Sequence, residues 1–144
     1  MSESMFRWCF IGCGTLARNV AKQIRASGRH QIVTAYARTF ERCASFAEAF
    51  GARPCTSAED AIRDPDVDGV YIVTPHTSHA AYAKMALEFG KPVLCEKPFT
   101  VTAKDTAELI ELARSRKLYL AEAMWTWFAP VANQVKQWLD NGEF

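Results

Sequence analysis

The sequence predicts a three-layer α/β domain with a doubly wound, mainly parallel sheet, and three observations predict it. Short β-rich runs alternate with amphipathic stretches of roughly ten to sixteen residues. Glycine or proline punctuates most junctions between them. The most β-rich run, Val67 to Val73, reads as a central parallel strand buried on both faces. Alternation of this kind implies βαβ crossovers, with helices covering the sheet on two sides.

Phe6 to Ile11 is aromatic and β-favouring and stops at Gly12, which predicts the first strand. After Gly12-Cys13-Gly14, Leu16, Val20 and Ile24 recur every four residues up to Ser27-Gly28, a helix with a glycine stop. Gln31 to Ala37 is the second strand, and Phe40 to Phe50, closed by Gly51, the second helix. A short extended piece at Arg53 to Cys55 precedes Thr56-Ser57-Ala58-Glu59, an N-cap signal for a brief helix ending at Pro65. Thr74-Pro75 breaks the central strand, and Thr77 or Ser78 caps a helix that reaches Phe89 before Gly90. Pro92 to Cys95 is the fifth strand, Val101 to Arg116 a helix with Leu109, Ile110, Leu112 and Ala113 on its apolar face, and Leu118 to Ala121 the sixth strand. Beyond residue 123 the pattern changes. Trp125 to Phe128 is aromatic, Pro130 starts a helix running to about Leu139, and Asn141-Gly142 stops it. Residues 1–123 are therefore expected to form one domain. Residues 124–144 look like material made to meet another surface, as if a longer polypeptide had been cut.

Composition narrows the function. The chain has 144 residues, 49% of them apolar and 12% aromatic, and 17 Lys and Arg against 16 Asp and Glu leave a formal charge of only +1. Nothing global would hold a nucleic-acid backbone or an anionic bilayer. No apolar stretch approaches the roughly 20 residues of a spanning helix. The opening Met-Ser-Glu-Ser-Met-Phe-Arg-Trp lacks the basic and long apolar regions of a secretory signal, which predicts a cytoplasmic protein. Five cysteines, at 9, 13, 43, 55 and 95, form no C-x-x-C pair, so neither a disulfide framework nor a metal site is expected, only reduced core residues.

Gly12-Cys13-Gly14-Thr15-Leu16-Ala17 has the form G-x-G-x-x-A, placed between the first strand and the first helix. The first glycine permits the tight turn, the second lets a pyrophosphate approach the backbone, and the small third residue brings helix and strand together. With Thr15 and Leu16 at the helix start, free amides and the positive end of the helix dipole face the phosphates. This is a dinucleotide-binding Rossmann fingerprint. An NAD-preferring domain carries an acidic residue at the end of the second strand. Here Ala37 stands twenty positions after Ala17, followed by Arg38 and Thr39, with Arg42 one helical turn later. A guanidinium in that slot pairs with a 2′-phosphate, so NADP is expected as cofactor, with NAD the alternative.

Thr74-Pro75-His76-Thr77-Ser78-His79 and Gly90-Lys91-Pro92-Val93-Leu94-Cys95-Glu96-Lys97-Pro98 resemble the T-P-x-x-x-H and G-K-x-V-x-C-E-K-P patterns of the glucose-fructose oxidoreductase, inositol dehydrogenase and MocA family. Glu122 to Thr126, with Phe128 and Pro130, is similar to the E-A-M-W-T-R-F-x-P of its dimeric dihydrodiol dehydrogenase subgroup, which includes D-xylose dehydrogenases and typically uses NADP. The chain departs from that pattern at Trp127, which stands where the subgroup has arginine and offers no charged fork.

The resemblance implies that the Thr74 and Pro75 backbone passes beside the cofactor and that His79 lies near the dinucleotide, as a ligand contact or as a satisfied structural histidine. It implies that Lys97 reaches the substrate hydroxyl beside the nicotinamide, where an ammonium stabilises a developing alkoxide. Glu96 would orient the lysine or contact the nicotinamide ribose, and Pro98 would follow a cis peptide. The expected function is then the cofactor half of an NADP-dependent oxidoreductase. It would transfer hydride between nicotinamide and a secondary alcohol of a sugar, polyol or cyclic diol. Substrate contacts and homo-oligomer formation would belong to a C-terminal domain. The alternative is a non-catalytic NADP-binding sensor or scaffold module.

Overall fold

The computed structural model describes residues 5–143. In chain order the sheet and its helices run β1 (Phe6–Ile11), α1 (Thr15–Ala26), β2 (His30–Tyr36), α2 (Phe40–Phe50), β3 (Arg53–Cys55), α3 (Ala58–Arg63), β4 (Gly69–Ile72), α4 (His79–Glu88), β5 (Val93–Cys95), α5 (Ala103–Ser115) and β6 (Leu120–Glu122). A 3-10 turn, Trp125–Phe128, and α6 (Pro130–Asp140) follow. The six strands lie in the order β3-β2-β1-β4-β5-β6, and every neighbouring pair is parallel. Strand order reverses between β1 and β4, the position at which such sheets open a crevice at their carboxyl edge.

Side-chain alternation along the strands builds a core on each face. Cys9, Ile11, Val70 and Ile72 pack towards α3, α4 and α5 through Ile62, Leu87 and Leu109. Phe10 and Tyr71 point the other way, to α1 and α2, where Phe10 stacks on Phe46 with ring centroids 5.4 Å apart. All five cysteines are buried and free of disulfide bonds, as core residues should be. Trp125, Trp127 and Phe128 are 68%, 75% and 80% exposed, and no residue of α6 is buried, so this aromatic segment is not core for the domain.

Several boundaries move for identifiable reasons. The central strand is shorter than Val67 to Val73, because the Val67 N–H turns back to the Asp64 carbonyl. The sixth strand starts at Leu120, not Leu118, because the Leu118 N–H closes α5 on the Ala113 carbonyl after Lys117 adopts φ 55°. Thr102 caps α5 by accepting the Asp105 N–H at 3.1 Å, and Ser57 caps α3 likewise from Asp60 at 3.0 Å. Ser78 is the N-cap residue of α4, one of the two positions expected, but its side chain makes no capping bond; its hydroxyl lies instead 2.8 Å from both Thr74 Oγ1 and the Pro75 carbonyl.

At the opposite, amino edge of the sheet the Arg7 guanidinium bonds both oxygens of Asp68 and one of Asp66. The bonds from Arg7 hold the Asp68 carboxyl below the ordinary carboxylate range. A depressed folded-state value contributes stability that is complete above the unfolded value of about 4 and is lost as pH falls through the folded one. Asp68→Asn is therefore expected to cost roughly 1 kcal/mol at pH 7, solvent screening included, and almost nothing near pH 2. Urea unfolding at the two pH values checks this.

Candidate functional site

The β1–α1 connection is dictated by its glycines. Gly12 has φ +109°, and a Cβ there would lie 2.7 Å from the Val73 carbonyl oxygen, so fold packing alone demands glycine. Gly14 differs, because nothing lies within 4 Å of an added Cβ and its φ of −79° suits any residue. No protein atom explains a glycine there, whereas a ligand drawn against the backbone would. The α1 start has no side-chain cap and no acidic residue in its first turn, which leaves the amides of Thr15 and Leu16 open to an anion.

Around this loop a cleft of about 370 Å³ is lined by Gly12, Cys13, Gly14, Tyr36, Ala37, Arg38, Thr39, Arg42, Val73, Thr74, Pro75, Thr77, Ser78 and Tyr82. The end of β2 supplies Arg38 and Thr39, and the first turn of α2 supplies Arg42. All three are exposed, so their polar groups are available to an anion. Tyr36 and Tyr82, also in the lining, meet edge to face at 6.2 Å. Sequence reasoning missed Tyr82, which sits one helical turn beyond Ser78 with no local signal of its own. Cys13 is no nucleophile. Burial pushes its thiol up to about 12, and its Sγ lies 3.6 Å from the Tyr36 carbonyl.

The β5–α5 turn stands at the same sheet edge, one strand over. The Glu96 N–H bonds the Ile72 carbonyl at 2.9 Å, and the Lys97–Pro98 peptide is cis. Glu96 does not pair with the lysine ammonium. Its Oε1 accepts from the Tyr71 hydroxyl at 2.6 Å, and its Oε2 accepts the Lys97 backbone N–H at 3.2 Å. The Lys97 side chain is exposed, and among the described residues its ammonium makes no ion pair or hydrogen bond.

His79 is placed apart from the cleft lining. It is 1% exposed, with Nε2 2.8 Å from the Thr74 carbonyl and Nδ1 3.0 and 3.2 Å from the carbonyls of Pro98 and Phe99. Whichever nitrogen carries the proton, the buried ring has a carbonyl to donate to, of Thr74 at the end of β4 or of Pro98 and Phe99 beyond Lys97, and it does not line the cleft. His76 is exposed.

A larger groove, about 510 Å³, lies between α4 and α5. Lys84 is its one cation against Glu88, Asp105, Glu108 and Glu111, so it repels phosphate. The carboxyl-edge cleft instead combines open amides with guanidinium groups.

The model of the GFO/IDH/MocA oxidoreductase family, NAD-binding Rossmann fold, matches residues 6–123. The chain belongs to this family. It is 35% identical over 150 residues to the D-xylose 1-dehydrogenase (NADP(+)) of Hypocrea jecorina, covering 95% of this chain and 38% of that protein. It is 36% identical over 144 residues to the trans-1,2-dihydrobenzene-1,2-diol dehydrogenase of Bos taurus, covering 94% of this chain and 42% of that protein. A 3-ketoreductase from Actinomadura kijaniata, solved in complex with NADP and TDP-benzene, superposes with a TM-score of 0.90 at 31% identity, over 96% of this chain and 43% of that one. The chain thus spans about two fifths of the length of these relatives.

Proposed function

We propose that this chain is the cofactor-binding half of an NADP-dependent oxidoreductase of the CH–OH class. The observation that carries the reading is the convergence, on one sheet edge, of an uncapped glycine loop, an arginine-bearing rim and an unpartnered ammonium. The amides of Gly14, Thr15 and Leu16 would hold the diphosphate. Arg38, Thr39 and Arg42 would receive the 2′-phosphate, and the backbone of Thr74 and Pro75 would flank the cofactor. Glu96, Lys97 and Pro98 would meet its nicotinamide half. The bound nicotinamide supplies hydride acceptance and donation. Lys97 would donate a hydrogen bond to the reacting oxygen, holding the negative charge present there when a secondary alcohol has lost its hydroxyl proton, or when the corresponding carbonyl carbon gains hydride. The substrate class supported by the relatives is a sugar, polyol or cyclic diol.

The stretch 124–143, with Trp125, Trp127 and Phe128 exposed, would lead to a substrate and dimerisation domain of a longer polypeptide. No helix among the described residues is long and apolar enough to cross a membrane. A cytoplasmic location suits five unpaired cysteines.

Cofactor preference is tested directly by Arg38→Ala. Loss of a charge-assisted pair should lower the NADPH-over-NADH affinity ratio by roughly 10- to 100-fold. Fluorescence titration of the 144-residue chain measures it, and an unchanged ratio would remove Arg38 from the 2′-phosphate site.

A further inference from the structure

The turn that carries Lys97 is held from both strands that flank β5. On one side, Tyr71 of β4 is 2% exposed and donates its hydroxyl to Glu96 Oε1 at 2.6 Å. Glu96 passes the restraint on, because its Oε2 accepts the Lys97 backbone N–H at 3.2 Å. On the other side, Glu122, the last residue of β6, accepts the Phe99 N–H through Oε1 at 2.9 Å. Lys97 and Pro98 thus stand between two anchored neighbours. The Tyr71 ring is wedged against Phe10 at 4.9 Å, so the hydroxyl cannot follow the turn if it drifts. Burial and the adjacent Glu96 carboxylate raise the Tyr71 phenol above its ordinary value, which keeps it a donor at neutral pH.

We propose that Tyr71 and Glu122 are positioning residues, which fix Glu96 and Phe99 from β4 and β6 and thereby hold the Lys97 turn against the nicotinamide half of the dinucleotide. Neither residue lines the cleft, so each acts through the turn. The inference rests on the reading of Lys97 and Glu96 proposed above.

The test compares NADPH with adenosine 2′,5′-bisphosphate, which lacks the nicotinamide half, on the 144-residue chain. Tyr71→Phe and Glu122→Ala should each weaken NADPH roughly 3- to 10-fold, as expected for one lost hydrogen bond to a charged group. The nicotinamide fluorescence of bound NADPH should move towards that of free NADPH, while 2′,5′-bisphosphate affinity stays within about twofold. Glu122→Gln keeps a carbonyl acceptor for the Phe99 N–H and should restore NADPH affinity. Equal losses for both ligands would reveal a merely structural role and overturn the proposal, as would unchanged NADPH affinity in both variants. A wild-type chain that binds NADPH no more tightly than the bisphosphate would overturn the underlying reading first, and this inference with it.

Discussion

If the proposed function holds, Lys97→Ala is expected to lower turnover by roughly two to four orders of magnitude in the longer polypeptide proposed above, the usual range for removing a positioned acid or a charge-stabilising donor. NADPH affinity should change little, since the turn backbone proposed to meet the nicotinamide half is held through Glu96 and stays in place. The asymmetry follows from the geometry. An exposed ammonium with no partner among the described residues contributes nothing to the fold, and Glu96 is engaged by Tyr71 and the turn backbone instead. Removal of the ammonium therefore leaves the turn in place and deletes only the group proposed to meet developing negative charge. Lys97→Arg should rescue little, because a planar fork does not replace a compact point donor. Steady-state kinetics with an aldose and a cyclic diol, together with NADPH titration, separates the outcomes, and near-normal turnover would exclude the role.

Gly12→Ala and Gly14→Ala should fail in opposite ways. At Gly12 the new methyl meets the Val73 carbonyl at 2.7 Å and the Val73 carbonyl carbon at 2.8 Å, both backbone atoms of the central strand region, at a φ that L side chains rarely adopt. Strain and overlap together should cost at least about 3 kcal/mol, or roughly 10 °C in Tm. At Gly14 the methyl enters open space on an extended backbone that any residue adopts, so the chain should be about as stable as the wild type. It should nevertheless lose tenfold or more in NADPH affinity, because the Cβ stands where a diphosphate must approach the amides. Thermal unfolding and NADPH titration of both variants check this. A destabilised Gly14→Ala, or one with full NADPH affinity, would remove the cofactor explanation for that glycine.

Local chemistry explains which parts of the fold were legible in the sequence. Phe6–Ile11, Phe40–Phe50 and Arg53–Cys55 fall where periodicity and flanking glycine or proline put them, because those signals act within a few residues. The start of β6 did not, since Lys117 takes a left-handed conformation with no glycine to announce it, and Leu118 is spent on closing α5. The glycine loop and Arg38 were readable for the same local reason. The contacts that order the Lys97 turn were not. Tyr71 reaches Glu96 across 25 positions, Glu122 reaches Phe99 across 23, and His79 reaches Pro98 across 19. Such pairs are created by strand order, and Tyr71 by itself reads only as one more residue of a buried strand. Trp125, Trp127 and Phe128 show the converse, since aromatic composition alone does not distinguish core from surface and the structure leaves all three exposed.

The central claim is that a phosphorylated dinucleotide lies across the carboxyl edge of the sheet, from the Gly12 loop to the Lys97 turn. Amide chemical-shift mapping of NADPH on the 144-residue chain tests it most directly. The expected result is a set of largest perturbations at residues 12–16, 38–42, 74–78 and 96–97. Perturbations centred on Lys84, Leu109 and Leu112 in the groove between α4 and α5, or none at saturating NADPH, would contradict it.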